Sequence, residues 1–363
     1  MKHERILLIG PFPPPIGGDT VLTQNLLKSE YWDRAGIEVD SVDTSPGDRV
    51  RLVDEKLSPG DVLRGIGIMC RALWKLPRVR AVLLWANCRF ICTMGPPIIL
   101  ACLAARRPIV IKAFGAMLAE RISVMPPIRR RLLISLLNKA TYILPETRRQ
   151  AGELIRVAGI SPARVVLFPN FLPDASLWID HRARKFAGAC VFLGQIKTEK
   201  GVFDIVEALR GREGFSCDFY GPIVDRDRDA FMEALSGAGN CAYRGIVNPE
   251  RVIETIGRYD LLMLPSYHPG EGYPAVVLQA FAAGVPVIAS DWKDIPEIVE
   301  DGVTGILVPP RSPARIREAL QRLADDGDLY ESMSANALAS SRDFSEKTVV
   351  NDILVAKVSG LLS

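Results

Sequence analysis

Apolar runs and helical periods alternate along the whole chain. Parallel strands covered on both faces are predicted where nearly every position is apolar, as in ERILLIG, AVLLWAN and IVIKAF. Helices are predicted where apolar residues recur at about every third or fourth position, as in VLTQNLLKSEY and PPIRRRLLISLLNKA. A further strand is predicted at TYILPET. This alternation with short connections is typical of an α/β protein with parallel, doubly wound sheets.

The alternation starts again in the second half of the chain. Strands are predicted at ACVFLGQI, CDFYGP, CAYRGIV, LLMLP and VPVIAS, and helices at VFDIVEALRG, RDAFMEALSGA, PERVIETIGRY and AVVLQAFAAG. We therefore predict two doubly wound domains that face a cleft, residues 1–175 and 176–340, with Asp174–Arg184 as the hinge. Residues 341–363 are predicted to be mainly helical.

Length and composition agree with two domains. The chain has 363 residues, more than one ordinary domain, and it is 48% hydrophobic and 24% charged, as is usual for a soluble enzyme. Its net charge of +3 is too small to indicate a nucleic-acid partner.

The cysteines and the apolar segments favour a cytosolic protein. The 7 cysteines are scattered without a CxxC pair, and the 3 histidines lie far apart, so we expect reduced, mostly buried thiols. The first residues lack the features of a secretory signal. The longest apolar stretch, FICTMGPPIILACLAA, is interrupted by Pro96-Pro97 and is predicted to form a loop and a buried helix rather than a membrane span.

Glycine-bearing turns follow several predicted strands, at the carboxyl edge of each sheet. Gly17-Gly18 precede the first helix, Phe114-Gly115 end the strand IVIKAF, and the turn GEGYP carries Glu271. Such turns leave backbone N–H groups free for an anion, usually a phosphate, although helix packing would equally explain Gly17-Gly18. A carboxylate beside a phosphate would be repelled, so Glu271 is better suited to hydroxyls or to a developing positive charge. Phosphate and polyol together indicate a sugar nucleotide.

Two more turns of the second domain are predicted to converge on the same edge. Lys200 stands immediately before Gly201 at a helix start, where the lysine and the helix dipole both suit a diphosphate. The turn RGIV, which contains Ile246, offers exposed backbone to a base.

The second half of the chain closely resembles the carboxyl-terminal domain of the family-4 retaining glycosyltransferases of GT-B fold. The resemblance lies in LGQIKTEKGVFDIVEAL and in the block from YRGIVNPERV to GILVPP, and it is greatest to bacterial enzymes that build exopolysaccharide, capsule or lipopolysaccharide. The PPPIGG loop and the PNF segment are similar to the first domain of that family. The resemblance implies an acceptor-binding first domain, a donor-binding second domain and a carboxyl-terminal helix that packs back on the first.

The resemblance also implies a role for each matching position. The Glu-x7-Glu pair of the family falls on Glu271 and Gln279, of which the first holds the hydroxyls of the transferred sugar and the second the ribose of the donor. The phosphate-binding Arg and Lys fall on Gln195 and Lys200, and Glu271 and Lys200 are the predicted catalytic residues. The remaining predicted donor contacts are Gly17, Gly18, Ile246, Gly272, Tyr273 and Pro274. The acceptor-side candidates are Phe114, Gly115 and His268.

In such an enzyme a UDP- or GDP-sugar is the donor, and a glycan or a lipid-linked molecule is the acceptor. No metal is expected, because Lys200 and helix N-termini serve the departing diphosphate. The sequence Asp225-Arg226-Asp227 has an Asp-x-Asp pattern, but it stands in a charged loop, where a solvated turn is the preferred interpretation over a metal site. His268 is interpreted as a residue that shapes the site, with a catalytic base as the alternative.

Three positions depart from the family pattern. Gln279 and Gln195 are neutral where the family has charged residues, and no histidine stands near Phe114. These departures leave open an alternative, a weak or inactive homologue that binds a nucleotide sugar or a partner transferase without turnover. An isomerase similar to the UDP-sugar 2-epimerases is disfavoured by the shortage of histidines.

A basic helix gives two interpretations of the first domain. Arg129, Arg130 and Arg131 begin the helix PPIRRRLLISLLNKA, close in sequence to Arg121 and to the apolar candidates Met117, Leu118, Val124 and Met125. This end of the helix is either simply solvated or rests on anionic lipid at the inner face of the cytoplasmic membrane.

Overall fold

The computed structural model describes residues 3–45, 59–177 and 185–362. Contacts divide the chain into two compact units: the first unit comprises Met1–Asn170 and Glu346–Ser363, and the second unit comprises Phe171–Ser345. The carboxyl-terminal residues are thus grouped with the first unit, where the Lys357 amine lies 5.1 Å from the ring centre of Tyr142. Of the predicted hinge, residues 178–184 lie outside the described residues.

In the first unit the described residues alternate strands with helices. The elements are β1 (Glu4–Gly10), α1 (Gly18–Leu27), α2 (Glu30–Arg34), β2 (Ile37–Asp43), α3 (Pro59–Lys75), β3 (Ala81–Asn87), α4 (Cys88–Thr93), α5 (Gly95–Ala104), β4 (Ile109–Phe114), α6 (Leu118–Ser123), α7 (Pro127–Leu137), β5 (Tyr142–Leu144) and α8 (Arg148–Arg156). The strands pair in parallel in the order β2-β1-β3-β4-β5. The middle of β1 and of β3 is fully buried, which explains their unbroken apolar runs.

The second unit repeats this plan. Its described elements are β6 (Ala189–Leu193), α9 (Val202–Leu209), β7 (Ser216–Tyr220), α10 (Arg228–Ser236), β8 (Cys241–Gly245), α11 (Val252–Ile256), β9 (Leu261–Leu264), α12 (Ala275–Ala282), β10 (Val287–Ser290), β11 (Gly305–Val308), α13 (Pro313–Asp325) and α14 (Gly327–Ser341). The strands are parallel in the order β11-β10-β9-β6-β7-β8. A π-helical stretch, Lys347–Val355, and α15 (Ala356–Leu362) then complete the first unit.

Strand order decides which loops are neighbours. In the second unit β6 pairs directly with β9, so that Cys190 lies opposite Leu261 and Val191 opposite Leu262. The chain order reverses at this pair, and the loops that follow β6 and β9 leave the sheet from neighbouring strands. In open α/β sheets this switch point is where ligands bind. The first unit has its own reversal between β1 and β3.

One local prediction is wrong. The segment before Pro96-Pro97 is not a loop, because α4 covers Cys88–Thr93 and α5 starts at Gly95. The prolines occupy the first turn of α5, where the missing N–H would have had no helical partner anyway. They therefore begin a helix instead of interrupting one.

Thiols and helix lengths agree with the expectations for them. All seven cysteines lie in the described residues and none forms a disulfide; Cys70 is exposed and the others are buried. Across the described ranges, no helix combines the length and the apolar character needed to cross a membrane.

Candidate functional site

Two loops of the second unit meet at the β6/β9 switch point. The first loop runs from Gly194 to Gly201, and the second follows β9 from Pro265 to Pro274. Gly201 has a φ of +73°, and a Cβ atom there would lie 2.3 Å from the carbonyl oxygen of Pro265. The loops can approach this closely only because residue 201 is a glycine.

An ion pair joins the two loops. The Lys200 amine lies 2.7 Å from Oε2 and 2.9 Å from Oε1 of Glu271, whose side chain is only 6% exposed. The Ser266 hydroxyl also donates to Glu271 Oε2. Burial alone would raise the pKa of Glu271, but Lys200 and Ser266 outweigh burial and hold the pKa below its ordinary value. Glu271 is therefore an oriented carboxylate at neutral pH.

His268 lies in the same loop as Glu271. Its Nδ1 accepts a hydrogen bond from the Gly270 N–H at 3.1 Å, and its carbonyl oxygen accepts one from the Trp292 indole at 3.0 Å. Burial, followed by the charges of Lys197 and Lys200, lowers the pKa of His268 to about 4. The imidazole is thus neutral at pH 7, and its orientation is fixed by the backbone of its own loop.

A third loop, which contains Arg226 and Asp227, holds the Gly194–Gly201 loop in place. The side chain of Asp227 accepts hydrogen bonds from the Thr198 N–H at 3.1 Å and from its hydroxyl at 2.7 Å. Arg226 pairs with Glu199 and, at 3.4 Å, with Asp227. The prediction of a solvated Asp225-Arg226-Asp227 turn is therefore wrong for Asp227, which is buried and holds the neighbouring loop. The described residues contain no group of three or more His, Cys, Asp or Glu side chains that could hold a metal ion.

The other predicted donor contacts lie around these loops. Gln195 is half-buried in the Gly194–Gly201 loop, and Gln279 is half-buried on the second turn of α12. Gly272 is buried, and Pro274 is the N-cap of α12. Tyr273 is also buried, with its ring packed edge-on against Phe344 at 5.8 Å, so its backbone is the part left for a ligand.

At the end of β8 the predicted base-binding turn is exposed. Ile246 is 65% exposed. Just before it, the Arg244 guanidinium lies 3.0 Å from Asp218, which also accepts a 2.8 Å hydrogen bond from the Tyr259 hydroxyl. The Tyr259 oxygen in turn lies 2.9 Å from that of Tyr220.

Sequence reasoning missed several residues that shape the site. Asp218 and Tyr259 carry no motif that distinguishes them from ordinary surface residues. Lys197 has a signal in the sequence, since it is a second lysine in GQIKTEKG. Ser266 could have been noticed from its position directly after a buried strand and a proline.

In the first unit the predicted glycines lie at the carboxyl edge of the sheet. Gly17 and Gly18 are exposed at the start of α1; a Cβ atom at Gly18 would meet nothing within 4 Å, and one at Gly17 would meet only the Thr20 hydroxyl at 3.9 Å. Packing against the described residues therefore does not explain either glycine. Gly115, with a φ of +77°, follows β4 and is half-buried.

The ring of Phe114 lies near a buried ion pair. Lys112 and Glu146 form a 3.2 Å ion pair with side chains 0% and 2% exposed, and the Lys112 amine also donates to the Phe168 carbonyl at 3.1 Å. Burial lowers the pKa of Lys112, and Glu146 opposes this effect. The buried Phe114 ring lies 5.7 Å from the amine. The pair ties β4 to the segments that follow β5.

The arginine-rich end of α7 carries exposed apolar residues, although not all of those predicted. Arg129 and Arg131 are exposed, and Arg130 donates to the Ser123 carbonyl at 3.2 Å. Leu118 is buried, which contradicts its proposed surface role, and Met117 and Met125 pack partly on the core. Val124 is exposed as predicted, and it is joined by two residues that the sequence reasoning did not select, Ile128 and Leu132.

Comparisons with known proteins show similarity to glycosyltransferases. Residues 185–339 match the family model described as glycosyl transferases group 1. The chain is 30% identical to the alpha-D-kanosaminyltransferase of Streptomyces kanamyceticus over 55% of each chain. It is 28% identical to the D-inositol 3-phosphate glycosyltransferase of Streptomyces scabiei, over 64% of this chain and 57% of that one. The alignments thus extend over about half the length of these relatives.

A solved structure extends the likeness to the whole chain. The Anabaena protein HepE, in complex with UDP-glucose, is similar with a TM-score of 0.75 and 17% identity, over 99% of this chain and 100% of the other. At this identity the likeness concerns the fold. Residues 185–339 therefore resemble the group 1 glycosyl transferases, and the whole chain has the GT-B fold.

Proposed function

We propose that this protein transfers a hexosyl group from a UDP- or GDP-sugar to a glycan or lipid-linked acceptor, with retention of anomeric configuration. The observation that carries the proposal is the arrangement of Lys200, Glu271 and Ser266 at the switch point of the second unit. A fixed carboxylate beside lysine charge suits a sugar joined to a diphosphate. The open surroundings of Gly17 and Gly18 support it, since close approach of a ligand explains glycines that no protein atom requires.

The chemistry follows from these groups. The bond between the anomeric carbon and the diphosphate oxygen breaks, a bond to the acceptor oxygen forms, and the acceptor proton passes to the departing diphosphate. In this proposal Glu271 holds sugar hydroxyls and stabilises an oxocarbenium-like state, while lysine charge stabilises the diphosphate. Because lysines supply this charge, we propose a metal-independent reaction. We also propose a role in surface polysaccharide synthesis in the cytoplasm, as the resemblance of the second half of the chain implies.

Donor hydrolysis and transfer tests decide between this enzyme and a binding protein. We expect slow release of UDP or GDP from a matching sugar nucleotide, and faster release when an acceptor is added. Tight binding of the nucleotide sugar without any turnover would instead favour the inactive homologue, which the neutral Gln195 and Gln279 motivate.

Gln279 offers a sharper test of the ribose site. An amide hydrogen-bonds a ribose but carries no charge. If Gln279 binds the donor ribose more weakly than a glutamate would, Gln279→Glu should raise turnover. If the glutamine suits the donor of this protein better, the same change should lower turnover. An unchanged KM and kcat would remove residue 279 from the donor site.

We further propose that the first unit rests on the inner face of the cytoplasmic membrane. Arg129 and Arg131 are exposed beside Ile128, which is 85% exposed, and such a combination suits anionic headgroups and the apolar layer below them. Flotation with phosphatidylglycerol vesicles should recover the protein, and serine at positions 129–131 should reduce recovery. Equal recovery would refute the proposal. Serine at the exposed Arg228, Arg315 and Arg322 of the second unit removes the same charge and serves as the control.

A further inference from the structure

A second lysine of the β6 loop, Lys197, forms no ion pair within the described residues. Lys197 is half-buried, and among the described residues no carboxylate forms an ion pair with it. Its carbonyl accepts the Lys200 N–H at 3.0 Å, which closes the short turn that carries both lysines. The backbone on its other side is pinned by Ile196, whose N–H donates to the Pro222 carbonyl at 2.9 Å and whose carbonyl accepts from the Val224 N–H at 3.0 Å. These hydrogen bonds fix the backbone of the loop and therefore the position of Lys197 within it.

The neighbouring cations already have partners. Lys200 contacts both oxygens of Glu271, and Arg226 pairs with Glu199 and Asp227. Removing Lys200 from the buried carboxylate would leave a charge without its partner, which is strongly unfavourable. Lys197 is thus the uncommitted positive charge of the loop.

The charge of Lys197 acts on the site itself. It is a leading cause of the lowered pKa of His268, after burial, and it interacts with Glu271 and Lys200. A lysine whose side chain extended into solvent would keep its water contacts, whereas Lys197 loses part of them beside these groups. Positive charge that is partly buried, unpaired and placed beside a like charge is unfavourable in the free protein, and an anion would relieve it.

We propose that Lys197 binds the diphosphate of the nucleotide donor and supplies the positive charge that Gln195 lacks. This inference rests on the proposed function. Lys200 then mainly holds Glu271 in place, and Lys197 stabilises the negative charge that develops as the sugar leaves. Lysine acts here as a point charge, so its demand on geometry is smaller than that of an arginine.

Calorimetric titration with UDP, GDP, UMP and GMP tests this assignment. Lys197→Gln should weaken binding of whichever diphosphate the unaltered protein binds by about tenfold or more, the usual effect of losing a charge-assisted hydrogen bond. Binding of the matching monophosphate should change much less. Lys197→Arg keeps the charge and should restore most of the affinity. Arg210→Gln, at the far end of α9, removes the same charge and should have no effect.

A stability measurement separates binding from structure. Because Lys197 forms no ion pair with the described residues, Lys197→Gln should leave the melting temperature unchanged or higher, so weaker binding cannot be ascribed to misfolding. UDP or GDP binding within twofold of the unaltered protein would overturn the inference alone. Failure of the unaltered protein to bind UDP, GDP or their sugars would overturn the proposed function, and the inference with it.

Discussion

At the scale of single residues, the site depends on how buried charges are matched. Lys200 and Glu271 lie 71 positions apart in the chain, and the direct pairing of β6 with β9 brings their loops together. The motif in the sequence predicted a role for each residue, one toward the diphosphate and one toward the sugar. It did not predict that they bind each other, because nothing local in either segment specifies a partner so distant in sequence.

This pairing predicts the cost of removing the lysine. Lys200→Gln should lower the free energy of unfolding by about 3 kcal/mol, because it leaves the buried Glu271 carboxylate without its cation. The double variant Lys200→Gln, Glu271→Gln should regain much of that loss, since no unpaired charge remains. Urea unfolding followed by circular dichroism measures both. A single variant within about 0.5 kcal/mol of the unaltered protein would show that the ion pair is energetically unimportant.

Lys197 predicts a pH dependence of nucleotide binding. Burial, reinforced by Lys200, lowers the pKa of Lys197 to about 8 in the free protein. Below pH 8 the amine is charged and ready for an anion; above it, binding must first recover a proton, so affinity falls as pH rises. We expect calorimetry to give a loss of about tenfold in UDP or GDP affinity between pH 7 and 9.5.

The titration of Lys197 must be distinguished from the titration of the other groups near it. The charged or titratable groups around it come from three loops: Lys200, Glu199, Arg226, Glu271 and His268. The pKa of His268 is about 4, and the pKa values of both glutamates are lowered, so none of these three changes state in this range. Lys197→Arg stays charged throughout and should abolish the fall. A fall that persists in this variant would contradict the prediction.

At the scale of elements, the strands and most helices could be predicted, because burial on both faces of a parallel sheet leaves a direct record in the sequence. What could not be predicted were contacts between loops. Asp227 holds Thr198 although both stand in polar segments that carry no periodic signal. The sequence does not predict α4, because Pro96-Pro97 favour a loop before them, whereas in the structure they lie in the first turn of α5.

Gly201 shows how a loop contact constrains one position. We expect Gly201→Ala to lower the free energy of unfolding by about 3–4 kcal/mol, from the left-handed backbone and from the clash with the Pro265 carbonyl. Gly211→Ala is the matched control, since Gly211 has a φ of +68° but open space around its Cβ position. It should cost only about 1 kcal/mol. Equal losses in urea unfolding would show that the loops yield to the added methyl group.

At the scale of the whole molecule, repetition made the fold predictable. Two runs of alternating strands and helices indicated two parallel sheets, and the motif in the second run indicated the GT-B fold, which the comparisons confirm. The order of strands within each sheet was not specified by the pattern. That order decides which loops meet, and so the site required the structure.

Gly18 tests the donor contact that is proposed for the first unit. Gly18 opens α1 with no protein atom within 4 Å of its Cβ position, so Gly18→Val should change the free energy of unfolding by less than about 0.5 kcal/mol. If the diphosphate lies against this turn, the valine should lower kcat/KM for sugar transfer by about tenfold or more, because it displaces the donor. Gly327→Val, at the equally open first position of α14, should leave kcat/KM unchanged. Full activity of Gly18→Val would mean that the donor is bound without this turn of the first unit.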